Sequence, residues 1–171
     1  GTARMMVELK DQWSGTLMMI AQQAEETSGG AKSVIEAGLY QKFPLPDYAL
    51  AYHVSDKIPA GKIGYCGGAI MAGVRSVDIT VYGEGGHGAQ PDRTIDPVLL
   101  ASRMVVDFQT IVSRELSPLS PAVVTVGSIH GGTKHNIIPA EVKLQLTIRY
   151  YDETVGDHIV AALQRIGNGL A

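Results

Sequence analysis

The residues best equipped for chemistry in this chain are two adjacent carboxylates, Glu25 and Glu26, and a histidine, His53. Carboxylate oxygen and imidazole nitrogen together suit zinc or a similar divalent ion. Neighbouring side chains on an extended segment point opposite ways, so one carboxylate could hold a metal while the other faces a water. That gives two protein ligands, where a catalytic zinc site normally has three and an open position. Taken alone, the pair reads first as the acidic start of a helix, favoured by the helix dipole, and His53 as a cap on a strand end.

A second cluster is Gly83-Glu84-Gly85-Gly86-His87-Gly88. It matches the G-x-G-x-x-G dinucleotide fingerprint in form. The fingerprint opens directly into a helix, however, and here Gln90-Pro91-Asp92-Arg93 intervenes. The acid expected about 20 residues on falls at Asp107, inside a predicted helix, and Glu84 would repel a pyrophosphate. The remaining readings are a flexible turn and a loop that presents His87 to a substrate. A third cluster is Lys134-His135-Asn136-Ile137-Ile138-Pro139 together with Arg149. Asn136 in a turn tolerates unusual backbone angles. Arg149 is by default solvated, but its planar fork could pair with a carboxylate in bidentate fashion.

These residues need elements to position them. Thr2–Trp13 reads as a helix. Thr16–Gln22 is a continuous apolar run that predicts a strand buried on both faces, ending at the acidic pair. Ala31–Tyr40 reads as a short helix, and Tyr48–Tyr52 as a second strand ending at His53. The first half is thus expected to be a parallel βαβ unit, with the acidic pair and His53 on one sheet edge. Ile58–Met71 is rich in glycine and small residues and is expected to cross between domains. From there, Val77, Ile79 and Val81 alternate with polar neighbours as in a half-buried strand. Asp96-Pro97 supplies a cap and first residue for a helix striped by Leu100, Met104, Val105, Phe108, Ile111 and Val112. Ala122–His130 and Val142–Tyr150 read as strands, and Val155, Ile159, Leu163 and Ile166 stripe a last helix. The second half is therefore β-α-β-β-α, one strand short of a ferredoxin-like fold. Each half falls short of a complete sheet, as expected for the central piece of a longer protein.

Composition narrows the partners. The formal net charge is −3 with no basic stripe, which argues against nucleic acid. No apolar run approaches the ~20 residues of a membrane span. The only cysteine, Cys66, excludes an intrachain disulfide, and a free cysteine is expected to be a small buried packing residue.

Read together, Gln23-Ala24-Glu25-Glu26, Gly30-Ala31-Lys32 and Glu36-Ala37-Gly38 resemble the metal-binding segment of a metallo-amidohydrolase family. Its members include aminoacylases, hippurate hydrolases, indole-acetyl-amino-acid hydrolases and zinc carboxypeptidases. Gly83–Pro91, Thr94-Ile95-Asp96-Pro97, Val126–Thr133 and His135–Pro139 resemble the family's lid, or dimerisation, domain. The resemblance implies part of an α/β catalytic domain over residues 1–73 and an α+β ferredoxin-like lid over 74–171. It implies that Glu25 is the general base, that Glu26 and His53 are metal ligands, and that His87, Asn136 and Arg149 approach the substrate carbonyl or carboxylate. In the family that histidine often reaches across a dimer into the partner's site.

The implied cofactor is a divalent metal, zinc first, with manganese, cobalt or nickel possible and one or two ions in the complete enzyme. The implied partners are an N-acyl amino acid and a second copy of the chain, bound through the lid. The remaining metal ligands are expected before Gly1 and after Ala171, so residues 1–171 alone are expected to lack activity. An isolated dimerisation module without catalysis is the alternative. Gln23, Tyr52–Asp56 and Val74-Arg75-Ser76 depart from the family's usual residues, which bears on substrate preference.

Overall fold

Alternating apolar residues call for a sheet in the second half of the chain. The structure, a computed structural model that describes residues 1–25 and 29–171, contains it. The chain divides into two units, Gly1–Gly61 and Lys62–Ala171. In the first unit the described helices are α1 (Thr2–Glu8), α2 (Gly30–Glu36) and α3 (Leu39–Lys42), with a 3-10 turn at Lys10–Gln12. Trp13 Nε1 donates to the Met6 carbonyl at 2.8 Å, folding that turn back on α1. The helix expected over Ala31–Tyr40 is two helices, because Gly38 adopts φ +90°. A left-handed residue interrupts the helical ladder, and glycine carries it without steric penalty.

The strands expected over Thr16–Gln22 and Tyr48–Tyr52 do not form. A strand becomes one by hydrogen bonding to a neighbour, and a strand buried on both faces needs layers above and below it. Among the described residues the first unit offers neither, and Leu17, Met19, Ile20, Tyr48, Leu50 and Tyr52 are all exposed. The parallel βαβ unit is therefore not formed among the described residues.

The second unit holds β1 (Gly73–Tyr82), β2 (Gly86–His87), α4 (Pro97–Asp107), β3 (Ala122–Gly131), β4 (Ile137–Ile138), β5 (Glu141–Tyr150) and α5 (Glu153–Leu170). The long strands form an antiparallel sheet in the order β1-β5-β3, and β2 and β4 form a separate ribbon. The main elements follow the β-α-β-β-α order that the sequence predicts. β5 is central, and its inward residues Val142, Leu144, Leu146, Ile148 and Tyr150 are all buried. α4 contributes Ala101 and Met104, and the turn beyond it Phe108 and Ile111, to the same core. α5 adds Ile159, Ala162 and Leu163.

Local chemistry fixes the ends of these elements. Asp96 Oδ1 accepts from the Val98 and Leu99 amides at 2.8 and 3.2 Å, with Pro97 in the first turn, so α4 starts as its sequence predicts. Asp152 caps α5 by accepting from the Thr154 amide and hydroxyl, both at 2.8 Å. The Thr154 hydroxyl, then its amide, holds the Asp152 carboxyl below its usual pKa. In β3 the register slips between Val126 and Ser128, leaving Gly127 as a β-bulge opposite β5.

Candidate active site

The segment leading to Glu25 is bent back on α2. Ala24 takes φ +50°, an uncommon angle for a residue with a β-carbon. Gly30, at the start of α2, is buried so close to Gln23 that a β-carbon there would overlap the Gln23 carbonyl. Gln23 Nε2 also donates to Ser33 Oγ at 3.4 Å. Glycine at position 30 is thus what lets Gln23 pack against the start of α2. Glu25 itself is exposed, and Glu26 lies outside the described residues.

His53 is exposed, and its Nδ1 stands 2.6 Å from the Val54 carbonyl oxygen. A carbonyl only accepts, so Nδ1 carries the proton, and the neutral ring keeps its lone pair on Nε2. This tautomer leaves Nε2 available to ligate a metal, with a backbone carbonyl orienting the ring. His53 therefore fits a divalent metal. Among the described residues no group of three His, Cys, Asp or Glu side chains converges on one point. Cys66, expected to be buried, is exposed. The Gly64-Tyr65-Cys66-Gly67-Gly68 stretch around it is exposed throughout and gives the thiol no core to enter.

In the second unit the glycine-rich loop is neither a flexible turn nor a phosphate cradle. It runs into β2 instead of a helix. A β-carbon at Gly83 would overlap the Ile95 carbonyl, and one at Gly85 would sit 2.9 Å from the Ile138 carbonyl oxygen. These glycines permit two backbones to close on each other. Gly88 N donates to the Asn136 carbonyl at 2.8 Å, and β2 pairs His87 with Ile137. His87 and Asn136 are thereby brought together at one end of the unit. Ala89 N donates to His87 Nδ1 at 3.1 Å, so neutral His87 holds its proton on Nε2 as an outward hydrogen-bond donor. Neither the Asn136 side chain nor His87 Nε2 is engaged by another described residue. Beside them, Gly131–His135, Ile137–Pro139, Asp96 and Val98 line an open cleft of about 470 Å³.

Arg149 lies elsewhere. It is exposed on the outer face of β5, paired with Val74 on β1 and Val123 on β3. Both valines are half exposed, at 40% and 50%, and offer the guanidinium no hydrogen-bond partner. Eight residue steps separate this row from the Tyr82–Glu141 pair, beyond which the ribbon lies. At a strand rise of about 3.3 Å per residue, that is about 26 Å. One chain therefore does not bring Arg149 to the same point as His87 and Asn136. The alternation of β5 places Arg149 on its outer face, but no spacing in the chain signals this separation, which depends on the register of β1 against β5.

Residues 71–169 match the family model of the peptidase dimerisation domain, more than half of the chain. The chain belongs to the M20 peptidase family. An N-acyl-L-amino acid amidohydrolase of Geobacillus stearothermophilus is 36% identical over 99% of this chain and 45% of its own length. A solved structure from methicillin-resistant Staphylococcus aureus, described as an aminohydrolase, superposes with a TM-score of 0.85 at 34% identity, over 98% of this chain and 44% of that one. The YXEP protein of Bacillus subtilis, described as a dinuclear metal-binding peptidase from the M20 family, superposes at 0.67 with 26% identity, over 99% of this chain and 41% of that one. The chain thus spans less than half the length of the relatives it matches. The dimerisation-domain match falls wholly within the second unit, which holds the sheet, the ribbon and Arg149.

Proposed function

We propose that the protein hydrolyses the amide bond of N-acyl amino acids, with a divalent metal bound by Glu26 and His53 and by further ligands, and that it works as a homodimer through residues 74–171. Zinc suits the donor set best, with manganese, cobalt or nickel as alternatives. When bound, the ion supplies Lewis acidity at the scissile carbonyl. Glu25 takes a proton from the attacking water and delivers it to the leaving amine. The His87 Nε2–H and the Asn136 amide donate to the oxyanion that develops on the carbonyl. Arg149 pairs with the free α-carboxylate.

The observation that carries this reading is the separation of the His87–Asn136 ribbon from Arg149 along one sheet. In an N-acyl amino acid the carbonyl and the carboxylate are only a few bonds apart. Residues about 26 Å apart along a strand cannot touch both in one chain. Two chains related by a twofold axis can, one lending the ribbon and the other Arg149. The Bacillus subtilis neighbour's description as a dinuclear metal-binding peptidase supports the metal, and the relative that acts on N-acyl-L-amino acids supports the substrate class.

The test is hydrolysis of N-acetyl amino acids by the full-length protein before and after chelation, with zinc, manganese, cobalt or nickel returned singly. Turnover should vanish on chelation and return with one of these metals. Turnover indifferent to chelation would remove the metal from the reading. Dimerisation without turnover under any metal would favour a dimerisation module instead.

A further inference from the structure

Arg149 stands one residue from the end of β5, where ladders fray, and its flanking valines cannot fix a guanidinium. The residue that follows it is held from several sides. The Tyr150 ring is 5% exposed on the core face. Gly73 on β1 and Gly156 on α5 close on it, and a β-carbon on either would stand 2.8 Å from ring carbons. The hydroxyl accepts from Arg75 Nε at 3.0 Å and donates to Glu153, whose Oε2 lies 3.2 Å away. The other two Arg75 nitrogens donate to Asp157 and Glu153 at 2.7 Å each, and the guanidinium lies 5.1 Å from the ring centroid. Asp157, then Glu153, holds Arg75 protonated beyond its usual range. Arg75 occupies the inward phase of β1, shared with Val77, Ile79 and Val81, a place where an apolar residue would normally stand. α5 is already held by Ile159, Ala162 and Leu163, so covering the core does not require this clasp. Its bonds are directional, and what directional bonds add to burial is position.

We propose that Tyr150 and Arg75 are positioning residues for Arg149. By locking the ring on the core face, they fix the strand end and so the direction in which the next side chain leaves the opposite face. A misplacement of about 1 Å at a substrate contact is enough to weaken binding. The proposal rests on the reading of Arg149 as the carboxylate clamp given above.

The experiment measures kcat and KM in the metal-loaded, full-length protein for an N-acyl amino acid and for its α-amide. The proteins compared are wild type, Tyr150→Phe, Arg149→Ala and the double variant. Tyr150→Phe keeps the ring and removes only the hydroxyl. It should raise KM about fivefold for the acid, the scale of losing one ordinary hydrogen bond, while leaving kcat and the amide unchanged. Arg149→Ala should raise KM for the acid further, and adding Tyr150→Phe to it should change nothing more. If Arg149→Ala discriminates between acid and amide but Tyr150→Phe affects both alike, or lowers only the melting temperature, the clasp is structural and the proposal is overturned. If Arg149→Ala itself fails to discriminate, the carboxylate clamp falls and the proposal falls with it.

Discussion

The two units use similar apolar material to opposite effect. In Gly1–Gly61 the run Thr16–Ala21 and the tyrosines of Tyr48–Tyr52 remain at the surface, and among the described residues no hydrophobic side chain of this unit is buried. In Lys62–Ala171 the inward residues of β5 are buried to 5% exposure or less. The difference is not hydrophobicity, since Leu17, Met19 and Ile20 are as apolar as Leu144, Leu146 and Ile148. β5 has a strand on each side and two helices over one face, all supplied between Gly73 and Leu170, whereas among the described residues the run at Thr16 has no paired neighbour. Apolar pattern states a capacity for burial, and pairing decides whether it is used.

On the proposed reading the first unit carries the general base Glu25, and the second carries His87, Asn136 and Arg149 on a packed core. The largest expected effect tests that division. Glu25→Gln in the full-length protein should lower kcat by about 10²–10⁴-fold and leave metal content and melting temperature near wild type. A large fall in melting temperature would make Glu25 structural. Next, Leu144→Ala should destabilise the second unit by about 2–5 kcal/mol. Hydrogen exchange should then speed up in β1, β3 and β5 and not in residues 1–61; acceleration in both would mean that the units share one cooperative transition. A smaller effect separates two glycines of the second unit. Gly83→Ala forces a β-carbon against Ile95 and Pro97 and should cost about 1–3 kcal/mol. Gly67→Ala, with open space around it, should be close to neutral by denaturant titration.

The smallest effect is on the cap of α5. Asp152 has its carboxyl pKa lowered below 3.8 in the folded chain. Its contribution to stability is therefore present above that pH and is lost as pH falls through the lower, folded value. The melting-temperature gap between wild type and Asp152→Ala should be constant above about pH 5 and shrink toward pH 3. A gap that widened on acidification would reverse the assignment.

Most of the second unit was legible because its signals are local. The alternation of Val142–Tyr150, the Asp96-Pro97 cap and the Ile159–Leu163 stripe each state their own structure. The ribbon was not, since two-residue strands such as Gly86–His87 carry no periodicity and form only because glycine lets two backbones meet. The clasp left one trace, an arginine in the inward phase of β1. The two strands expected in the first unit were misread because length and hydrophobicity cannot report whether a partner strand is alongside. Of the site, His87 beside Asn136 follows from the fold. The tautomers of His87 and His53 follow from single backbone contacts that no spacing encodes.

The bulge at Gly127 carries a consequence for how this strand tolerates insertion and deletion. Before it, Val124 and Val126 face Ile148 and Leu146 in the core. After it, Ser128 meets Gln145 and His130 meets Lys143 on the outer face. Ser128 Oγ donates to Gln145 Oε1 at 2.9 Å, and Gln145 Nε2 passes the connection on to Asp78 at 3.2 Å. Removing Gly127 alone would take out the bulge and restore strict alternation with the pairing unchanged, Ser128 still opposite Gln145 and Ile129 opposite Leu144. β3 should therefore tolerate loss of one residue at the bulge, whereas a one-residue deletion elsewhere in the strand would turn the residues on one side of it to the opposite face.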